Sequence, residues 1–142
     1  MKSYHLIYGS LLSFVLIGCV PPPVPHPKII LHEEARKVLL SEGTMVNCRV
    51  LGQVEGKDEQ SGYPWVEYNQ LDENAKNDLR NNAAVLNRDN KLANVRILSK
   101  EIHCQLPKIG WTSCPRSYVE NDPYVLVKYV KYKGEILDCG ER

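Results

Sequence analysis

The amino-acid sequence predicts an α+β domain in which one main helix packs on one face of a small antiparallel or mixed sheet of three to five strands, pinned by two disulfides. Three observations carry this prediction. Residues 71–87 repeat apolar side chains at helical spacing. Residues 45–56, 95–103 and 124–132 are rich in β-branched and aromatic side chains. Four cysteines follow an N-terminal segment of secretory type. The 142 residues suffice for one domain, and an apolar content of 43% is that of a chain with a core.

Residues 1–18, MKSYHLIYGSLLSFVLIG, carry one Lys and an uncharged, mostly apolar run of twelve residues from Leu6 to Ile17. That run is too short to cross about 30 Å of hydrocarbon as a helix and suits the core of a signal peptide. It ends in Leu16-Ile17-Gly18-Cys19, which resembles the lipobox of bacterial lipoproteins. The resemblance implies that the Cys19 thiol receives a diacylglyceryl group, that residues 1–18 are cleaved away, and that the new amine is acylated. Two or three acyl chains, at about 0.8 kcal/mol per buried methylene, hold a protein on a bilayer. By the same resemblance, Val20 rather than Asp after the cysteine points to the outer membrane. The globular part, residues 28–142, is then expected in the periplasm.

Cys19 to Pro27 form the tether, of which VPPPVPHP holds five prolines in eight residues. It reads as extended polyproline II, a spacer of roughly 25 Å at about 3.1 Å per residue, with His26 in solvent. Lys2 is the only Lys or Arg before Cys19, so the mature chain balances 17 basic against 17 acidic residues. That balance argues against bulk attraction to nucleic acid.

Cys48, Cys104, Cys114 and Cys139 remain, an even number at spacings of 56, 10 and 25 residues. No close pair such as C-x2-C suggests zinc, so two disulfides are expected and no metal. Three connectivities exist. The favoured one is Cys104–Cys114, closing QLPKIGWTS, with Cys48–Cys139 tying an early strand to the C-terminal end.

Along the domain, Lys28–Leu31 is a candidate short strand. HEEARKVLLSEG (32–43) places acids before bases and ends in Gly43, which predicts a short helix. In TMVNCRVLGQVEG, Val46, Cys48 and Val50 alternate with polar residues as in a half-buried strand, with Gly52 marking a bulge and Gly56 the exit. Residues 57–70 read as an exposed loop. Leu71, Ala75, Leu79, Ala83, Val85 and Leu86 form the helix stripe, with Asp72 as N-cap and as partner of Lys76. NRDNKLAN (87–94) is a polar exit loop. VRILSKEIH (95–103) reads as a strand with no cleanly apolar face, which suggests a sheet edge. YVLVKYVKY (124–132) is a strand, Lys133-Gly134 a turn, and EILDC (135–139) a short closing strand.

CRVLGQVEGK (48–57) and AKNDLRNNAAVL (75–86) together resemble the YjeI-like bacterial lipoproteins, a family with a lipobox and a domain of unknown function. The resemblance covers roughly residues 45–95 plus the lipobox. The chain departs from that pattern in its extra segment 87–92 and in its Cys104–Cys114 pair. More distantly, the arrangement is similar to the RcsF-type envelope-stress lipoproteins, which also combine a proline-rich tether with two disulfides.

Nothing in the chain spells a catalytic motif. Asp78 is a conceivable general base beside Arg80, but residues two apart on a helix diverge by about 200° and do not face each other. The expectation is a non-enzymatic, lipid-anchored module with no cofactor, bound to the membrane through its lipid and to another envelope protein. Tyr63, Trp65 and Tyr68 are the candidate interaction surface, weighed against Trp65 folding back over the core edge. The alternative is an envelope enzyme, or a binder of cell-wall or small-molecule ligand, using a cleft near Trp65 and the 72–87 helix.

Overall fold

The computed structural model describes residues 22–62, 64–87, 92–122 and 124–140; Cys19, Val20 and Tyr63 lie outside them. A 3-10 turn at Glu34–Lys37 leads into β1 (Val38–Ser41). Then come β2 (Arg49–Glu59), α1 (Tyr68–Leu86), β3 (Ala93–Leu106), β4 (Gly110–Ser113), α2 (Arg116–Asn121) and β5 (Val127–Asp138). The strands form one mixed sheet in the order β1-β3-β5-β2, with β4 also on β3. Only the β1–β3 pair is parallel. The α+β class, the five-strand sheet and the single main helix agree with the sequence prediction.

Disulfides join Cys48 to Cys139 and Cys104 to Cys114, with Cα separations of 4.1 and 5.9 Å. The first fastens the approach to β2 to the end of β5. The second closes the β3–β4 hairpin, where Cys104 is registered opposite Thr112.

The core lies between α1 and the sheet. Leu71, Ala75, Leu79 and Ala83 are fully buried and meet Val54, Val95, Ile102, Val130, Tyr132 and Ile136. Val85 and Leu86 fall outside this contact, 75% and 55% exposed. Gly56 permits the close approach. A Cβ there would lie 2.3 Å from the Leu79 amide nitrogen and 2.5 Å from the Ala75 carbonyl oxygen. The glycine expected to end the strand is therefore its contact with the helix. β2 continues through residues expected in an exposed loop, to Glu59, and α1 starts three residues early, at Tyr68.

β3 is an interior strand, not an edge. Its pairing with β5 shifts between Ile97 and Ser99, so Leu98 is the extra residue of a bulge. A bulge inverts which side chains face the core. Ala93 and Val95 before it, and Ile102 and Cys104 after it, consequently reach the same face. Each face of the unbulged sequence is half apolar for that reason.

Four further local expectations are corrected. Lys28–Leu31 belongs to no strand. The helix expected over 32–43 is a single 3-10 turn, because Val38–Ser41 pair with Ala93–Arg96 and that tertiary ladder overrides the helical charge pattern. Strand β2 starts at Arg49 because Asn47, at φ 63°, breaks the alternation, which leaves Val46 72% exposed. The bulge expected at Gly52 is present, between Val50 and Gly52. Lys133-Gly134 is no turn, and β5 runs unbroken through it. A Cβ at Gly134 would lie 2.7 Å from Val95 Cγ1, so a glycine lets the strand pass.

Candidate functional site

The most unusual construction is the N-terminal arm, residues 26–32, which runs along α1. Asn74 accepts from the Ile29 N–H (3.1 Å) and donates to the Pro27 carbonyl (3.1 Å). Asn77 donates to the Ile29 carbonyl (3.0 Å). Asn81 accepts from the His32 N–H and donates to the Ile30 carbonyl, both at 2.9 Å. A primary amide carries a donor and an acceptor side by side, so each of Asn74 and Asn81 satisfies the arm as a neighbouring strand would.

His26 locks the start of the arm. Its Nε2 lies 2.8 Å from Asp58 Oδ2 and its Nδ1 3.3 Å from Ser61 Oγ, while Asn74 Nδ2 donates to the same Asp58 oxygen at 2.8 Å. The His26 side chain is 3% exposed. The expectation of a solvated His26 is therefore overturned. Composition alone made residue 26 a spacer position, whereas the partners that bury it lie 32 or more residues away. The Ser61–His26–Asp58 contact brings a hydroxyl, an imidazole and a carboxylate together, and with its imidazole buried it fastens the start of the arm to the end of β2.

On its neighbouring flank α1 binds the outer edge of β2. Asp78 Oδ2 accepts from the Lys57 N–H (2.9 Å), and Asn82 donates to the Glu55 carbonyl (2.9 Å). These side chains cap backbone groups that an edge strand otherwise leaves open. Asn77 and Asn81 hold the arm, Asp78 holds β2 and Leu79 enters the core. The polar patch of the helix is thus a framework, and Asp78, the candidate general base, is engaged by a backbone amide.

A second polar cluster sits between α1 and the sheet. Asp72, expected at the helix N-cap, lies inside the helix and faces the sheet. It bonds Tyr132 Oη (2.6 Å), Lys100 Nζ (2.7 Å) and Lys76 Nζ (2.8 Å). Lys100 Nζ also lies 2.5 Å from Tyr68 Oη and over the rings of Tyr68 and Tyr132. Burial works to raise the Asp72 pKa, but hydrogen bonds from Lys100, Lys76 and Tyr132 outweigh it and hold the carboxyl below its ordinary value. Burial, then the bond to Asp72, pushes the Tyr132 phenol well above its ordinary value. Lys76 is raised as well: desolvation opposes this, but the bonds to Asp72 and Glu73 prevail.

The open face of the sheet carries a row of rings. Trp65 stacks on Trp111 (centroids 5.7 Å apart), Trp111 lies beside His103 (6.4 Å), and His103 stacks on Tyr129 (5.0 Å). Lys57 Nζ covers the far side of Tyr129 at 4.6 Å. Trp65 and Trp111 remain 42% and 40% exposed. Of the three aromatics expected to form one surface, Trp65 joins this row, Tyr68 belongs to the Lys100 cluster, and Tyr63 lies outside the described residues. The sequence did not place Trp111, His103 and Tyr129 in this row. Periodicity within one strand does not reveal their meeting, which depends on the β3–β5 register with its two shifts and on the β3–β4 register.

Two hollows flank the sheet's ends. One of about 980 Å³ is lined by residues including Val46, Leu92 and the Cys48–Cys139 bridge. The other, about 530 Å³, lies between the β3–β4 turn and the loop before β5, and includes Ile109, Tyr118 and Tyr124. Neither is lined by Asp78 or His103. All four domain cysteines are engaged in disulfides, and among the described residues no three His, Cys, Asp or Glu side chains are grouped to hold a metal. Among the same residues no helix is long and apolar enough to cross a membrane. No protein-family profile, curated protein or solved structure matches this chain.

Proposed function

We propose that this chain is a lipid-anchored protein of the bacterial cell envelope, on the outer membrane, whose periplasmic domain binds another envelope protein without catalysing a reaction. The observation that carries the reading is the clamped arm. Because His26 to His32 are fastened to α1 and β2, only residues 19–25 separate the proposed lipid at Cys19 from the folded domain. The two disulfides suit an oxidising compartment. The stretch of α1 that resembles YjeI-like lipoproteins, Ala75 to Leu86, contributes Asn77 and Asn81 to the clamp, whereas Asp58, Ser61 and Asn74 lie just outside the resembling stretches.

The partner's place in this reading is the hollow beside Cys48–Cys139. It lies at the opposite end of β2 from the arm, where Val46, Leu92 and Val50 are 72%, 62% and 50% exposed. An apolar surface of that kind is usual where a protein docks. Fractionation of cells expressing Cys19→Ala is the test: the variant is expected to leave the membranes, and unchanged retention overturns the anchor. A photo-crosslinking residue at Leu92 is expected to yield a discrete protein adduct that the same residue at Leu98 does not. The absence of such an adduct in intact cells removes the binding role.

A further inference from the structure

We infer that the end of the sheet from which the arm emerges rests on the bilayer itself, with Trp65, Trp111, Ile109 and Tyr124 in the lipid–water interface. This rests on the proposed anchor at Cys19 and names what the exposed aromatic surface contacts.

The placement follows from the register. His26 is bonded to Asp58, the penultimate residue of β2. Its neighbour Glu59 is opposite Tyr129, Tyr129 is opposite His103, and His103 stands beside Trp111, which stacks on Trp65. The β3–β4 turn and the loop before β5 close the same end, and there Ile109 and Tyr124 face one hollow at 71% and 89% exposure. The arm leaves from this end with Val24 81% exposed. Seven residues from Cys19 to His26 reach at most about 25 Å fully extended. A lipid at Cys19 therefore limits how far this end can stand from the membrane, and so favours it over the Cys48–Cys139 end for a contact with the bilayer.

The chemistry suits an interface. Trp and Tyr combine an apolar ring with a polar edge and settle at headgroup depth, and lysines beside them can extend their ammonium groups to water. Lys108 and Lys128 are exposed at this end. Acids accompany the bases: Lys57 pairs with Glu59 at 2.7 Å, and Glu101 and Asp122 are also exposed. The contact is accordingly driven by ring and aliphatic burial and does not require anionic lipid.

The chain has two tryptophans, and both lie in this surface. Intrinsic fluorescence of the lipidated full chain, reconstituted in phosphatidylcholine vesicles, therefore reads the contact directly. With phosphatidylcholine brominated high on its acyl chains, emission is expected to fall at least twofold relative to unbrominated vesicles. Ile109→Ser with Tyr124→Ser is expected to remove at least half of that quenching, whereas Leu98→Ser leaves it intact. Flotation of the same vesicles reads the anchor separately. A chain that floats without being quenched keeps its anchor and overturns the docking. A chain that does not float overturns both. Tryptophans that lipid bromine does not quench, but that native membranes shield from acrylamide, assign the surface to a protein instead and likewise overturn the proposal.

Discussion

Gly56 lies directly against Leu79: a Cβ on Gly56 would sit 2.3 Å from the Leu79 amide nitrogen and 2.5 Å from its Cα. Strand β2 and helix α1 touch through backbone at this point, and the clamp on the arm is assembled around the contact. Gly56→Ala must push the helix off the sheet. Overpacking costs ~1–3 kcal/mol, and backbone against Cβ leaves little room for relief, so the upper end is expected. Gly52→Ala meets nothing within 4 Å and serves as the control. Urea unfolding midpoints compare the two; equal midpoints would remove Gly56 as the contact.

Asn81 holds the arm by two hydrogen bonds to backbone, to His32 and Ile30. In Asn81→Ala both backbone groups lose their partner, at a cost of ~1–3 kcal/mol. The loss is expected to be local. Hydrogen exchange at the His32 amide should accelerate, while exchange in the β3–β5 ladder changes little. Uniform acceleration throughout the domain would show that the arm is instead integral to the core.

The Asp72 cluster sets a pH window. Asp72 is held below its ordinary pKa of 3.8, so its stabilisation is complete above that value and is lost as pH falls through the lower folded one. Tyr132 and Lys76 are held above ordinary values of 10.0 and 10.5. Their contribution is complete below those values and is lost as pH rises beyond them. Stability should therefore be flat, as far as this cluster is concerned, from about pH 5 to about pH 9, and fall on either side. Asp72→Asn should lower stability at neutral pH and flatten the acid limb. A variant whose acid limb is unchanged would show that other carboxylates govern it.

The two disulfides should differ in worth. The Cys48–Cys139 bridge spans 91 residues and the Cys104–Cys114 bridge 10. On the chain-entropy description these correspond to ~5 and ~3 kcal/mol. Paired Cys→Ser variants, Cys48 with Cys139 and Cys104 with Cys114, measured by thermal unfolding, should rank in that order. The reverse ranking would indicate that Cys104–Cys114, which sits at the core, acts chiefly through packing.

The sequence by itself determined the α+β class, the main helix and its buried stripe of Leu71, Ala75, Leu79 and Ala83, and the presence of two disulfides. Helical periodicity is a local signal that tertiary contacts did not alter, and an even count of cysteines predicts two bridges but leaves three connectivities, among which the fold selects Cys48–Cys139 and Cys104–Cys114. Tertiary structure alone decided the position of β3, because one bulge at Leu98 inverts the alternation that a reader of the sequence relies on. It also decided the role of Asp72. That carboxylate suits a helix cap, but Lys100 and Tyr132, 28 and 60 residues onward, draw it beneath the helix. The arm is the extreme case. Nothing within residues 26–32 predicts that the segment docks, because its hydrogen bonds are completed by Asn74, Asn77 and Asn81 on a helix about 45 to 51 residues away, and a partner so distant leaves no periodicity in the segment it binds.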